Sequence, residues 1–493
     1  MSNKGVLRVN GGGVFEINPA AADVAFDAAI AALGDEGGVV DIHQGDAEFD
    51  FANPVTITKP NVKIRGNGST LSFVDSSSLY MFRIRAQGFS ISGTRFRDIA
   101  TAGLGDNTRR IISFEDNGTD NASGNGRITD CDFDVTLATE TVRDYQCISA
   151  VGNSAGGATL RRGLDISGCS FYARVNSMPR TRYVTSTTTP YGITFIKTRK
   201  SGAQFIRHNR FLGEFAASTL SDGTGDPLDT LQINTPGFTI GDTTITIKSS
   251  GGTLTGIVQP KSTFTIAGNA QIYTITKQAT ASSNLVSVNF FPALVANAAT
   301  DASVTMTATS APAHVASAIS MTDHDRTVVS ENSFDLLHTQ AATIVDDVGG
   351  GALIHSISNE GESGHSGFYN NQLHELDVWY ALRCEGGSSF SDGWIKIHGN
   401  DFGRIFPRCQ DVISLDKCLS VSIQSNGFHN LGGGNHGSTP TLGRPIYAAN
   451  GCKSIVVAGN IYDIASVGEK LFHHDGTTKM LHYYGNSTEW TIA

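Results

Sequence analysis

Ile397-His398-Gly399-Asn400-Asp401-Phe402 is one of nine copies of a single figure in this chain: a short β-prone run, a small or amide residue, one variable residue, then an aromatic or apolar one. The other copies end in Thr94-Arg95-Phe96, Cys131-Asp132-Phe133, Cys169-Ser170-Phe171, Asn209-Arg210-Phe211, Asn332-Ser333-Phe334, Asn371-Gln372-Leu373, Asn426-Gly427-Phe428 and Asn460-Ile461-Tyr462. Their apolar positions follow at 37, 38, 40, 123, 39, 29, 26 and 34 residues. Periods of about 20–50 residues mark a solenoid or an array. The flanks, such as Ile91-Ser92-Gly93, Ile128-Thr129-Asp130 and Ile166-Ser167-Gly168, are strand-prone with no helical period, which argues against helical repeats. The expected fold is therefore all-β, a right-handed parallel β-helix.

In such a solenoid equivalent residues of successive coils stack about 4.8 Å apart. Asn209, Asn332, Asn371, Asn400, Asn426 and Asn460 should then form one ladder, each amide bonding to its counterpart in the next coil. Thr94, Cys131 and Cys169 should continue it, and Asn486 in Tyr484-Gly485-Asn486 reads as a worn last copy. Asn tolerates left-handed backbone, which a tight turn here requires, and the aromatic two residues on should stack in the core.

Composition fits a solenoid, which lengthens without enlarging one core. The 493 residues include 55 Gly and only 17% charged residues. Seven cysteines, an odd number, point to reduced, buried thiols rather than a disulfide framework. No Cys or His spacing matches zinc, so no metal or cofactor is expected. The start, Met1-Ser2-Asn3-Lys4-Gly5, lacks a cleavable signal pattern, and no run of about 18 apolar residues predicts membrane insertion. A net charge of -10, with basic residues scattered except at Lys197 to Lys200 and Arg404 to Arg408, argues against nucleic acid as a partner.

Four regions are predicted. Residues 1–37 form an N-terminal cap, in which Asp23 N-caps a helix carrying Phe26, Ile30 and Leu33 on one face and Gly34 stops it. Coils occupy 38–230. Residues 231–311 alternate with period two in Thr243-Thr244-Ile245-Thr246-Ile247, Ser262-Thr263-Phe264-Thr265-Ile266 and Ile272-Tyr273-Thr274-Ile275-Thr276, and read as an inserted β-domain for packing, assembly or sugar binding. Removing it shortens the 123-residue interval to one ordinary coil, and coils resume over 312–493.

The opening, with its helix followed by Gly37-Gly38-Val39-Val40-Asp41-Ile42, Pro54-Val55-Thr56-Ile57 and Asn61-Val62-Lys63-Ile64-Arg65-Gly66-Asn67-Gly68, resembles the start of pectate-lyase-like β-helix proteins, especially bacteriophage tailspikes that degrade bacterial surface polysaccharide. Phe264-Thr265-Ile266-Ala267-Gly268-Asn269 is similar to β-modules of phage virion proteins. The resemblance implies a homotrimer on the virion tail, acting extracellularly on a capsule, O-antigen or exopolysaccharide, in company with other tail proteins. Fold alone leaves lyases, hydrolases, epimerases and inactive spikes open.

Counting forward from each apolar ladder position brings out a charged and phenolic group about 10–13 residues on: Asp144 and Tyr145, Arg182 and Tyr183, Asp222, Asp346 and Asp347, then Arg383 and Glu385. If these form one column, Asp346 and Glu385 meet on adjacent coils, and like charges that close raise at least one pKa, as a general acid needs. Asp222, Asp347 and Glu362 are further catalytic candidates. Arg383, Arg182, Tyr145, Tyr183, Trp379 and His365 are the substrate-binding candidates, and Tyr191, Tyr380 and Trp394 are further rings able to stack on sugars. A second polar group comprises Asp323, His324 and Asp325, followed by Glu360, Glu362 and His365.

Glycoside hydrolysis needs two carboxylates, about 5–5.5 Å apart for retention or 6.5–9.5 Å for inversion. Polysaccharide lyase action needs a base such as Tyr or His beside a group that neutralises a uronate carboxylate. The excess of acids favours hydrolysis. A spike that binds glycan without cleaving it would use the same face.

Overall fold

The computed structural model describes residues 5–10, 13–43, 48–74, 79–98, 108–115, 125–135, 144–151, 163–173, 192–199, 202–213, 216–217, 220–221, 230–258, 262–275, 279–307, 310–311, 313–315, 317–324, 326–335, 337–339, 352–358, 365–378, 380–386, 393–407, 411–429, 431, 434–436, 439–441, 444–462 and 471–488. They build a parallel β-helix of three long sheets. Each coil gives one strand to each sheet in turn. Leu164–Ser167 lies in the first, Ser170–Ala173 in the second and Gly192–Arg199 in the third, before Gln204–Arg207 returns to the first. The crossovers take the right-handed sense of parallel β connections.

The register of the second sheet follows the repeat. Phe96, Phe133, Phe171, Phe211, Phe334, Leu373, Phe402, Phe428 and Tyr462 are paired in that order. The rings from Phe96 to Phe334 stack face to face with centroids 4.6–4.9 Å apart. Beside them runs the ladder. Asn332 Oδ1 accepts from both the backbone N–H and the Nδ2 of Asn209 at 3.0 Å, and Asn371, Asn400, Asn426, Asn460 and Asn486 repeat the arrangement. Asn209 and Asn332, which are 123 residues apart, are thus neighbours.

In one respect the turn differs from expectation. The ladder residue is not left-handed; the residue before it is, at Gly93, Asp130, Gly168, His208, Glu331, Asn370, Gly399, Ser425, Gly459 and Gly485, with φ between 51° and 69°. The reason is that the ladder side chain must point inward to reach the next coil. The residue that reverses the chain ahead of it points to solvent, and that is where the left-handed cost falls. Asn332→Ala should therefore lower the denaturation midpoint sharply. It leaves the buried Asn209 N–H without its acceptor, at about 1–3 kcal/mol for an abandoned buried group, and removes the Nδ2 bond to the Ile206 carbonyl as well. Asn486→Ala at the open end should cost much less.

The helix Ala22–Ala32 covers the first coils with Ala22, Ala25, Phe26, Ala29 and Ile30, and the Phe26 ring lies 5.2 Å from that of Phe51. Asp23 is not its N-cap. It sits within the first turn, buried, and its carboxylate accepts from Asn53 Nδ2 at 2.8 Å; Asn18 caps the short 3-10 turn just upstream. The helix C-terminus meets Lys59, whose Nζ donates to the carbonyls of Ala31 and Leu33. Val6–Val9 and Gly13–Glu16 extend the first sheet antiparallel beyond Gly38–His43, covering an edge that would otherwise be open.

A second compact unit comprises residues 214–313 and 435–440, a wider range than the alternating strands alone indicated. Its six-stranded antiparallel sheet includes Thr244–Ser249, Thr263–Ile266, Asn269–Ile275 and Leu285–Phe291. The unit has its own core, centred on Phe264, Tyr273 and Phe290 with ring centroids 5.2 Å apart. The six cysteines among the described residues are buried free thiols. Among those residues no helix is long and apolar enough to cross a membrane.

Candidate functional site

The third sheet brings several of the charged candidates together. Its register sets Ser320, His355, Arg383, Ser414, Tyr447 and His473 in one outward row, and Thr322, Ile357, Glu385, Asp416 and Ala449 in the next. Between them Met321, Cys384, Leu415 and Ala448 turn inward and are buried. Period-two alternation in Arg383-Cys384-Glu385 and Ser414-Leu415-Asp416 produces this division.

Glu385 and Asp416 are therefore directly opposed on adjacent coils. Arg383 Nε lies against Glu385 Oε1, and His355 Nε2 is 3.5 Å from Oε2. The Arg383 guanidinium also stacks 4.9 Å from the Tyr380 ring centroid. Although these groups face outward, His355 and Arg383 are only 6% and 8% exposed, so the face is recessed here. One strand further on, Arg444 Nε donates to Asp411 at 2.6 Å and its guanidinium covers the Tyr447 ring at 3.8 Å.

Burial pushes the Glu385 carboxyl up, but the His355 hydrogen bond and the charges of His355, Arg383 and Lys417 outweigh it and hold the group below its ordinary value of 4.5. Glu385 is thus kept ionised, which suits a nucleophile or base and not the raised general acid expected for one of the pair. The linkage has a definite sign. A depressed folded-state pKa stabilises fully above the unfolded value and is lost as pH falls through the folded one. Glu385→Gln should flatten this part of the acid-side loss of stability below about pH 4.5, measured as denaturation midpoint against pH.

Asp416 is half-buried, and its Oδ1 is enclosed without a hydrogen-bond donor among the described residues. Such an oxygen costs about 1–3 kcal/mol and calls for an explanation, a catalytic role among them. A comparison within the chain sharpens the point. Glu115, near the other end of the same sheet, is gripped by Arg83 at 2.8 Å and Arg85 at 3.2 Å and also has a lowered pKa, burial being outweighed by those two partners. Its neighbour on the next coil is Val151. The Glu115 group is a closed ion pair network, whereas Glu385 has a second carboxylate beside it.

The charged column expected from counting is not one column. Tyr145 pairs with Arg109 and Ile193, whereas Arg383 is equivalent to Ser149, four residues further along the strand. Tyr145 is fully buried in the core, where burial and then the Asp98 charge push its phenol well above the ordinary range; it is not available to a glycan. The neighbour of Glu385 on the preceding coil is Ile357, not Asp346. Asp346, Asp347, Asp222, Glu362, Arg182, Tyr183 and Trp379 lie outside the described residues, as do Asp325, Glu360 and Tyr191.

His324 is buried and bonded to the hydroxyls of Ser356 at 2.8 Å and Thr327 at 3.1 Å, a structural histidine. His365 is exposed beside Trp394. Asp416 was missed because it stands 14 residues beyond Phe402, while Glu385 stands 12 beyond Leu373. The connection from the second to the third sheet changes length from coil to coil, so a fixed count drifts. Among the described residues no three His, Cys, Asp or Glu side chains converge as a metal site requires.

No protein-family model matches the chain, and no curated protein is significantly similar to it. Among solved structures it is similar to a double mutant of the tailspike protein of E. coli bacteriophage HK620, at 10% identity and a TM-score of 0.37 over 97% of this chain and 64% of that one. It is also similar to the Dettilon tailspike protein, at 11% and 0.33 over 95% and 66%, and to tailspike protein 3 of bacteriophage CBA120, at 10% and 0.22 over 97% and 66%. The chain spans about two thirds of the length of each, 64–66%. The parallel β-helix itself rests on the strand register described above.

Proposed function

We propose that this chain binds and cleaves a bacterial surface polysaccharide by glycoside hydrolysis, with Glu385 and Asp416 as its two carboxylates. The observation that carries the reading is their direct opposition on adjacent strands of a recessed face. Strands paired in a sheet are about 4.8 Å apart, which matches the carboxylate spacing of about 5–5.5 Å used for retention of configuration. Glu385, kept ionised by His355 and Arg383, is the nucleophile. Asp416 then protonates the departing oxygen and afterwards activates water. Arg383 holds Glu385 in its rotamer, and Tyr447, in the same outward row as Arg383, supplies ring surface to sugars. A solenoid repeats its exposed rows coil by coil, which suits a polymer of repeating sugars.

A homotrimer on a virion tail, alongside other tail proteins and acting outside the cell, follows as a proposal from the resemblance of the opening residues 37–68 to tailspikes. Light scattering at micromolar concentration tests the trimer. The reaction is tested by incubating the protein with purified capsular polysaccharides and O-antigens. New reducing ends without ultraviolet absorbance from unsaturated uronate are expected. Both signals together would identify a lyase, and retained binding with neither would identify an adhesin.

A further inference from the structure

Trp394 opens the first-sheet strand Trp394–His398, in which Ile397 turns inward and Trp394, Lys396 and His398 turn outward. Its indole is 60% exposed, although a ring that size is normally covered. His365 stands on the preceding coil, just before Ser366, which pairs with Ile395. The His365 and Trp394 rings lie 6.1 Å apart and tilted by 33°, a two-ring platform.

The surface beside this platform is kept low. Gly367 pairs with Lys396, and a side chain at Gly367 would collide with the Tyr369 ring at 2.2 Å, so that ring lies flat along the strand over the glycine. Tyr369 meets His398 edge-on at 5.9 Å, and His398 Nε2 is fixed 2.9 Å from Ser422 Oγ. Two adjacent coils thus present His365 and Trp394 at one end, Tyr369 and His398 at the other, and the exposed Lys396 between. The four-residue separation of the two ends is about 13 Å along the strand, longer than one pyranose ring. Exposed ring faces with a few convergent polar groups are what a sugar requires, since its C–H face is apolar and its rim carries hydroxyls.

The platform lies on the same coil as the proposed cleavage point. Glu385 and Gly386 end the third-sheet strand Tyr380–Gly386, and Trp394 opens the first-sheet strand Trp394–His398; the small cavity at this corner, lined also by the buried Cys384 and Cys418, lies beneath it. We infer that Trp394 and His365 form a pyranose-stacking subsite that carries the polysaccharide from the Glu385 face around this corner onto the first sheet. The inference rests on the reading of Glu385 and Asp416 for its direction. It does not rest on it for binding.

The test uses the full chain with a panel of purified capsular polysaccharides and O-antigens, monitoring tryptophan fluorescence, polymer binding and cleavage. Trp394→Ala should weaken binding at least tenfold and raise KM in proportion, with kcat changed less than twofold. Trp394→Tyr should restore most of the affinity, as a merely structural role would not. Trp394→Phe should remove the ligand-induced fluorescence change while retaining binding. Weakened binding by Trp394→Ala alongside full activity of Glu385→Gln would support the subsite and relocate the chemistry. Unchanged binding by Trp394→Ala, or dissociation of an oligomer in that variant with affinity lost only as a consequence, would overturn the subsite. A parent chain that binds none of the panel would overturn it too.

Discussion

Glu385→Gln and Asp416→Asn should each reduce turnover on the cleaved polysaccharide by about 10²–10⁴-fold, the range typical of losing a positioned acid or base. Binding should change little, because each amide keeps the shape of the acid it replaces. The two variants are not equivalent. Glu385 is held by Arg383 and His355, so its amide leaves a buried guanidinium short of a partner and should lose some stability as well. Asp416→Asn gives the enclosed Oδ1 position a chance to donate, so its fold should hold or gain. Added azide should rescue Glu385→Ala by giving a glycosyl azide of inverted configuration, and should rescue Asp416→Ala, since azide needs no general base in the second step, by giving one of retained configuration. Full activity in both amide variants would falsify the carboxylate pair and turn attention to Asp346, Asp347, Asp222 and Glu362.

A second large effect belongs to the core. Arg109 and Asp98 form an ion pair inside the solenoid with side chains 0% and 1% exposed, joined at 2.6 Å and 3.1 Å. Arg109 also donates to the Phe73 carbonyl at 3.2 Å and lies 3.6 Å from the Phe73 ring centroid. Burying two charges is costly, and the attraction between them roughly offsets that cost, so the pair adds little net stability. Breaking it is another matter. Arg109→Met should cost about 3–5 kcal/mol because it strands a buried carboxylate, and the double variant Arg109→Met with Asp98→Leu should recover most of that loss. Chemical denaturation of the three proteins checks both statements. If the double variant is as unstable as the single one, the pair does more than neutralise itself.

Much of the scaffold was legible because its rule is local. The Asn-x-Phe figure needs a turn, an inward amide and an inward ring within a few residues, and the same constraint recurs in every coil. The insertion did not obscure it, since Asn209 and Asn332 obey the same rule on either side. The left-handed position was misread by one residue because Asn is suited both to that backbone and to the inward ladder, and the sequence does not say which property is used. Asp23 was misread as a cap for a similar reason: an acidic residue at a helix start serves equally as a cap or, as here, as an acceptor for Asn53.

The site was far less legible. Glu385 and Arg383 were found from their offset, but Tyr145 shares that offset and lies in the core, and Asp416 was hidden by two extra residues in the preceding connection. Sequence by itself determined the coil, its ladder and the fact that an independent β-unit interrupts it, because each depends on contacts repeated at short range or at a regular period. Only the tertiary structure decided that Asp416 stands opposite Glu385, that Arg109 seeks Asp98 in the core, and that Trp394 is left uncovered. Those outcomes depend on the register between sheets, which variable loops reset in every coil.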